Sequence, residues 1–368
     1  MRIETIKIKN YRVFQEVTSP KLTGLNVFTG ESGSGKSTFL DVLDFLCEAM
    51  VTNVATAVRN RGGLSKLKPQ NNQHEDIEIE LHLTIKKETS STYNELIYLI
   101  KIGEEDNQVI VKRETLKQYS HRMDAERVLI DVTDGFGKVA NKKDGLTENL
   151  LFELEDRSKL SISMVGGIRS YPGVNVLKKL FSQWQLIDFQ GKKQLQEEQL
   201  AEWTKQLKEQ APSTFEMIIS KVQKVIPELE DVRSTTTIDG RSILQFKERG
   251  VDVPFTTAFV AEGQKRLWAY LLLLHLPDPA LVLGVEAPES NLHGSVLHLL
   301  AEEFRAYTDR GGQLFVTSYS PAFMDTLRLE ELFRIERKDG ISRIQAAKDD
   351  DIVQRGYEIG ESLGRLWH

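Results

Sequence analysis

The strongest chemical signal in this chain is the octet Gly30-Glu31-Ser32-Gly33-Ser34-Gly35-Lys36-Ser37. Glycines at its first, fourth and sixth positions let the backbone curl until successive N–H groups point at phosphate oxygens. A helix beginning at the lysine would add its positive dipole end. Lys36 would then reach the β and γ phosphates, and the Ser37 hydroxyl would hold Mg²⁺. A chance octet of this pattern arises in about one chain in a hundred of this length. Such a loop needs a second carboxylate at the end of a neighbouring strand, and the apolar run Leu281 to Val285 delivers Glu286 there. That is where ligands bind in open parallel sheets. Val260-Ala261-Glu262-Gly263-Gln264, just before a helical pattern over 265–276, is by itself only a helix start with a glycine.

The elements that must position these residues are visible in the apolar spacing. Leu25 to Thr29 has the unbroken apolar character of a strand buried on both faces, and 38–50 places Phe39, Leu40, Leu43, Leu46 and Cys47 at helical spacing. Ala280 to Val285 and Gln313 to Thr317 read as buried strands. Between them lies a helical face of Val296, Leu297, Leu299, Leu300 and Phe304, a β-α-β order that predicts parallel pairing. Leu332 to Glu336 adds a strand, and residues 2–8 alternate as a half-exposed one. Residues 76–86, 92–102 and 108–113 predict an antiparallel subsheet. Residues 131–160 are polar and glycine-punctuated and predict no element. Ser213 and Glu216 predict a capping box ahead of a face made by Phe215, Ile218, Ile219, Val222 and Ile226. No repeat or sustained heptad predicts a coiled-coil arm. The expected organisation is α/β and of P-loop type, with a mostly parallel sheet, an added antiparallel β-subdomain and a helical lobe. Its expected divisions are 1–130, 131–258 and 259–368.

Composition sets the outer bounds. With 368 residues, 40% hydrophobic and 28% charged, the chain can build a core and is not a disordered polymer. Its longest apolar stretch stops at Pro277, well short of the roughly 20 residues a bilayer span needs, and charges in MRIETIKIKN do not suit a secretory leader. A single cysteine, Cys47, fits a reducing cytoplasm. The net charge of −6 argues against a surface built for nucleic acid. His293 and His298 miss the spacing of a helical zinc pair and read as surface histidines. Arg59, Arg61, Lys66 and Lys68 read as a solvated loop, and Trp268, Tyr270 and Leu271 to Leu274 as core. No Ser/His/Asp or Cys/His set has supporting context.

Six segments, KNYRVF, GESGSGKST, VAEGQKRLW, LGVEAPESNLH, FVTSYSPAFMD and LGRLW, follow one another from Lys9 to Trp367. In that order they resemble the RecF/SMC-like, ABC-type ATPases. Within those the chain is similar to compact bacterial ATPases related to the overcoming-lysogenization-defect (OLD) family. The resemblance implies ATP and Mg²⁺, with two protomers sandwiching two nucleotides in a homodimer or a higher homo-oligomer. It implies that Gly30, Glu31, Ser32, Gly33, Ser34, Gly35, Lys36, Ser37 and Thr38 hold phosphate, that Ser37 and Glu286 hold the metal, and that Arg12 approaches the nucleotide. Ala261, Glu262, Gly263 and Gln264 would be the signature segment capping the γ phosphate of the partner's nucleotide, and Ser290 to His293 the D-loop. Gln70 or Gln73 would complete the metal shell.

Three positions depart from the family pattern. Ala287 stands where a second Glu polarises water, Tyr319 where a switch His is common, and Ala261 where a signature Ser donates. Loss of a general base costs about 10²- to 10⁴-fold in rate, so tight ATP binding with slow turnover is expected. Either Ala287 is a substitution that traps the ATP state, or the chain is a slow natural switch. The resemblance further implies a cytoplasmic regulator of a separate effector, a nuclease or toxin, in bacterial anti-phage defence. A fused Toprim nuclease is not expected, and neither is a membrane partner. The rival readings are a RecF-like DNA-repair clamp and a non-hydrolysing scaffold that holds ATP.

Overall fold

Every residue of Leu25–Thr29 is buried, so this strand must be covered on both faces, and the elements around it follow from that need. The computed structural model describes residues 1–86, 93–121, 124–143, 146–164, 172–189 and 195–367. Residue 92, where one strand was expected to begin, lies outside them, as do 144–145. The chain divides into two compact units. The first is Met1–Gln185 with Glu330–Asp351; the second is Leu186–Leu329 with Ile352–His368.

The first unit begins with β1 (Arg2–Tyr11), β2 (Phe14–Thr18), β3 (Leu25–Thr29), α1 (Lys36–Val51), α2 (Val54–Asn60) and α3 (Leu64–Leu67). It continues with β4 (Ile77–Lys86), β5 (Tyr93–Glu105), β6 (Gln108–Ser120), β7 (Ala125–Thr133), β8 (Phe136–Lys143), β9 (Leu146–Glu153), α4 (Ser161–Met164) and α5 (Pro172–Ser182). Trp184–Ile187 is β10. The second unit carries α6 (Glu197–Gln210), α7 (Pro212–Val225), β11 (Leu229–Thr236), β12 (Ser242–Glu248), β13 (Phe255–Thr256), α8 (Glu262–Leu274), β14 (Val282–Glu286), α9 (Gly294–Asp309), β15 (Gln313–Thr317) and α10 (Pro321–Met324). The chain then returns to the first unit as β16 (Leu332–Lys338) and β17 (Ile341–Ala346), and ends in α11 (Asp351–Glu358) and α12 (Leu363–Leu366).

The largest sheet is antiparallel and extends the antiparallel subsheet expected over 76–86, 92–102 and 108–113. Its eight strands run in the order β2-β1-β4-β5-β6-β7-β8-β9, and each neighbouring pair is antiparallel. One apolar row crosses it through register: Ile6, Leu81, Tyr98, Leu116, Ile130, Val139 and Leu150. Residues 131–160, which predicted no element, supply β8, β9 and the end of β7. The reason is turn chemistry: Asp134 and Gly135 both have positive φ, as do Asp106 and Asn107, which is the backbone that tight two-residue hairpins require. Parallel pairing joins β3 with β16 in the first unit and β14 with β15 in the second.

In the first unit Arg61 is not in a solvated loop. Its side chain is only 7% exposed, and its guanidinium meets Asp41 at 2.8 Å, Asp44 at 2.7 Å and also Glu48, three carboxylates along one stripe of α1. Lys68 is buried as well and donates to the Gln73 carbonyl. In the second unit α7 starts at Pro212, with Ala211 as its N-cap and no side-chain cap, so the expected capping box is absent. Proline at the first helical position displaces the start by one turn position and puts Ser213 inside the helix. The helix still buries Phe215, Ile218, Ile219 and Val222. Against them lies Trp268, which is core as expected. It packs edge-on to Phe215 and donates to Thr204 Oγ1 at 3.1 Å. No helix among the described residues is long and apolar enough to cross a membrane.

Because Arg61 pairs with three carboxylates in a largely buried setting, Arg61→Ala should cost about 3–5 kcal/mol of stability. Denaturant unfolding checks this, and a loss below 1 kcal/mol would contradict the clamp.

Candidate functional site

The loop between β3 and α1 keeps its shape because two glycines leave no room for a side chain. A Cβ on Gly30 (φ 135) would lie 2.2 Å from the Ile335 carbonyl oxygen, and one on Gly35 (φ 119) 2.8 Å from the Phe14 ring. Both angles lie in the region that glycine tolerates. Glu31, Ser32, Gly33 and Ser37 are exposed, Thr38 is half-buried, and Ser34 is buried. Among the described residues, the Ser34 hydroxyl has no hydrogen-bond partner. The first turn of α1 has no acidic residue, so its positive end is not offset. Lys36 folds back over the loop and donates to the carbonyls of Gly30 (2.6 Å) and Glu31 (2.8 Å). Burial of its ammonium pushes its pKa down to about 8.

This arrangement fits a triphosphate. A helix start and an unpaired buried hydroxyl lie on one glycine-shaped loop, and the internal carbonyls hold the lysine where phosphate oxygens would. Gly30 to Thr38 would hold the phosphates, and Ser37 would present its hydroxyl to Mg²⁺. No group of three or more His, Cys, Asp or Glu side chains able to hold a metal occurs among the described residues. A Mg²⁺ here would therefore need phosphate oxygens and water among its ligands, its usual preference.

Arg12 belongs to the same unit, in the β1–β2 turn, and has positive φ. Its neighbours Val13 and Phe14 are the side chains that face Gly35. Arg12 Nη2 lies 2.9 Å from Asp41 Oδ2, which also accepts from the Tyr11 hydroxyl at 2.7 Å. Burial raises the Tyr11 pKa. The Gln73 side-chain nitrogen donates to the carbonyls of Ser65, Lys68 and Pro69. Gln70 is exposed.

The other expected residues belong to the second unit. Ala261 is the N-cap of α8 and exposed, and Glu262 pairs with Lys265 (2.7 Å) and Arg266 (3.2 Å). Those contacts hold the Glu262 carboxyl below its ordinary range, the Lys265 hydrogen bond most of all. Gly263 sits against Asn291, since a Cβ there would lie 2.4 Å from the Asn291 carbonyl oxygen. Arg266, buried, donates to the Ser290 carbonyl at 3.0 Å. Gln264 is half-buried. Thus the segment expected as the signature and Ser290–Asn291 are neighbours within one chain. Glu286 ends β14 in register with Thr317, and Ala287, with φ 44, donates its N–H to the Thr317 carbonyl. Tyr319, half exposed, follows at the end of β15. His293 caps α9 through its ring nitrogen and His298 pairs with Glu302.

Sequence reasoning missed four residues that hold these parts: Asp41, Arg61, Arg266 and Glu289. Asp41, Asp44 and Glu48 recur at helical spacing on a helix that is otherwise apolar, a signal that an internal cation should cover them. Nothing in the spacing marks Arg266 or Glu289.

A family model described as AAA ATPase domain matches residues 1–324. No curated protein matches the chain. Among solved structures it is similar to an SMC head bound to the C-winged-helix domain of ScpA, with 13% identity, a TM-score of 0.48, and 94% of this chain and 98% of that one covered. It is also similar to the SMC head domain from Thermotoga maritima, with 11% identity, a TM-score of 0.43, and 94% and 99% covered. A Pyrococcus furiosus SMC head with an extended coiled coil, bound to the C-terminal domain of ScpA, gives 13%, 0.49, and 97% and 99%.

Lys36 gives a pH signature. Phosphate beside it would raise its pKa from about 8 back towards the ordinary 10.5. Between those values the bound state holds more protons than the free state, so binding takes up a proton and weakens as pH rises. The titration of Lys36 should leave ATP affinity independent of pH below about pH 8 and lower it by about tenfold per pH unit over much of the range from pH 8 to 10. Calorimetry in buffers of different ionisation enthalpy reads both effects, and proton release on binding would refute the assignment.

Proposed function

The chain belongs to the AAA ATPase domain family, and from that premise we propose that it is an ABC-type ATPase working as a nucleotide-gated switch. ATP binds through Gly30 to Thr38, with Lys36 leaving its internal carbonyls for the phosphates and Arg12 approaching the nucleotide. Mg²⁺, assigned by the sequence pattern to Ser37 and Glu286, would offset charge on the phosphates. A second copy presents Ala261, Glu262, Gly263 and Gln264 to the bound triphosphate, so ATP stabilises the paired state. Hydrolysis is slow because Ala287 has no group to accept a proton from water. The paired state acts on a separate effector, and the setting that the family resemblance supports is bacterial anti-phage defence.

One observation carries this reading: the loop whose two glycines admit no side chain and whose lysine lies across its own carbonyls. That is a preformed phosphate cradle. Ala287 supports the slow-turnover half.

Three measurements test it. Lys36→Ala should weaken ATP binding at least tenfold by calorimetry, and unchanged affinity would end the nucleotide reading. Light scattering should show the mass double with Mg²⁺-ATP and remain single without it; no change would remove the paired switch. Ala287→Glu should raise phosphate release by about 10²- to 10⁴-fold. If that variant binds ATP without turnover, the chain is an ATP-holding scaffold and not a slow enzyme.

A further inference from the structure

We infer that Glu289 is a positioning residue that ties the loop after β14 to the loop after β15 and fixes where Tyr319 is presented. The role in an ATPase cycle rests on the reading above, whereas the clamp itself is a property of the second unit alone. Glu289 Oε1 accepts from the Ser318 hydroxyl at 2.9 Å and from the Tyr319 backbone N–H at 2.8 Å. Ser318 is fully buried, and its oxygen in turn accepts the Ser320 N–H at 3.1 Å. The Ser320 hydroxyl then caps α10 by accepting the Phe323 N–H at 3.2 Å. One carboxylate oxygen therefore anchors three consecutive residues, Ser318 to Ser320, and through them the start of a helix.

The reach of Glu289 is built into the loop that carries it. Ala287 takes a left-handed φ of 44 and bonds the Thr317 carbonyl, Pro288 fixes the next φ, and the Ser290 N–H closes a turn onto the Ala287 carbonyl. The chain is thereby turned back across the end of β15, which pairs with β14 in parallel. Both hydrogen bonds are strengthened by the charge of their acceptor. Movement at either loop is then felt at the other. This gives Tyr319, which stands where the family pattern has its switch residue, a fixed backbone and an exposed ring. Without Glu289 the buried Ser318 hydroxyl would lose its acceptor, and the loop would re-form around another one.

The test uses the full chain labelled with 3-fluorotyrosine, the Tyr319 ¹⁹F line being identified by its loss in Tyr319→Phe. Glu289→Ala should displace or split that line while the other tyrosine lines stay in place. Glu289→Gln, which keeps an acceptor oxygen for both donors, should hold the line near its original position. Should Glu289→Ala fail to fold, Ser318→Ala removes the hydroxyl alone and should displace the same line. An undisturbed Tyr319 line in a folded Glu289→Ala or Ser318→Ala chain would overturn the clamp. In phosphate release, Glu289→Ala should lower kcat about tenfold with KM within about twofold, and Glu289→Gln should recover most of the loss. Equal losses in Ala and Gln would mean that the carboxylate acts by its charge and not by position, which also overturns the proposal. ATP affinity measured alongside separates the two failures: lost binding in the unaltered chain sinks the nucleotide reading, while the tyrosine line still reports on the clamp.

Discussion

A loop that grips phosphate with its own amides must be held open by its surroundings, because side chains on the loop would fill the space where the amides converge. Here the surroundings are a backbone and a ring. The Ile335 carbonyl of β16 stands against Gly30, and Phe14 of β2 stands against Gly35. Because β16 pairs in parallel with β3, with Arg334 in register with Thr29, the strand that leads into the loop also brings the wall that shapes it. The eight-stranded sheet and the β3–β16–β17 arrangement thus meet one need: to present a few main-chain N–H groups without side chains in the way. Lys36 completes the cradle. Two carbonyl oxygens satisfy two of its donors, yet burial still lowers its pKa, so the site is poised to accept negative charge.

The helix that starts in the cradle must also be held in rotation and register. Most of α1 is buried, yet it carries Asp41, Asp44 and Glu48 along one stripe. Three carboxylates so placed would repel one another and draw water into the interior. Arg61 answers all three, and Tyr11, Arg12, Asn60 and Trp184 fill further acceptor positions. An apolar stripe would bury surface equally well but would tolerate rotation about the helix axis, whereas a fork of directional donors does not. The network therefore contributes position more than net free energy, since the desolvation of buried charges offsets much of their attraction. Asp41 extends that control to Arg12, the side chain expected to meet the nucleotide.

What was legible in the sequence was local. The glycine octet, the buried run before it and the helix after it lie within one short stretch, so spacing alone identified them, and the β14–α9–β15 order followed from the same apolar periodicity. Strands β7 to β9 were not legible by apolar content, because much of their surface is exposed and polar. Their signal was the Asp134-Gly135 turn between Ile130 and Val139, which only turn chemistry reads. The start of α7 was misplaced because Ser213 and Glu216 match a capping pattern, while Pro212 one residue earlier decides where the helix begins. Arg61 read as a loop residue because its partners lie 13 to 20 positions away. Such contacts exist only once the tertiary fold is known, as do the approach of Gly263 to Asn291 and the grip of Glu289 on Ser318.

On the proposed reading, the three departures from the RecF/SMC-like pattern have a distribution with physical meaning. Every residue expected to hold phosphate through the loop, from Gly30 to Thr38, is intact and lies in the first unit. All three altered positions, Ala261, Ala287 and Tyr319, lie in the second. Random decay would fall on both parts, and the glycine loop is the less tolerant of the two, since a single Cβ at Gly30 or Gly35 collides with fixed neighbours. Affinity and turnover are separable in free energy: amides and a lysine bind ground and transition states alike, whereas a base at position 287 would act only as the bond breaks. A chain that keeps the first set and lacks the second lowers its rate without lowering its occupancy. On the proposed reading this lengthens the time spent in the nucleotide-bound state. Glu289, retained two residues beyond Ala287, fits that division. On that reading the loop lacks the carboxylate that would drive chemistry and carries the one that holds its neighbour in place.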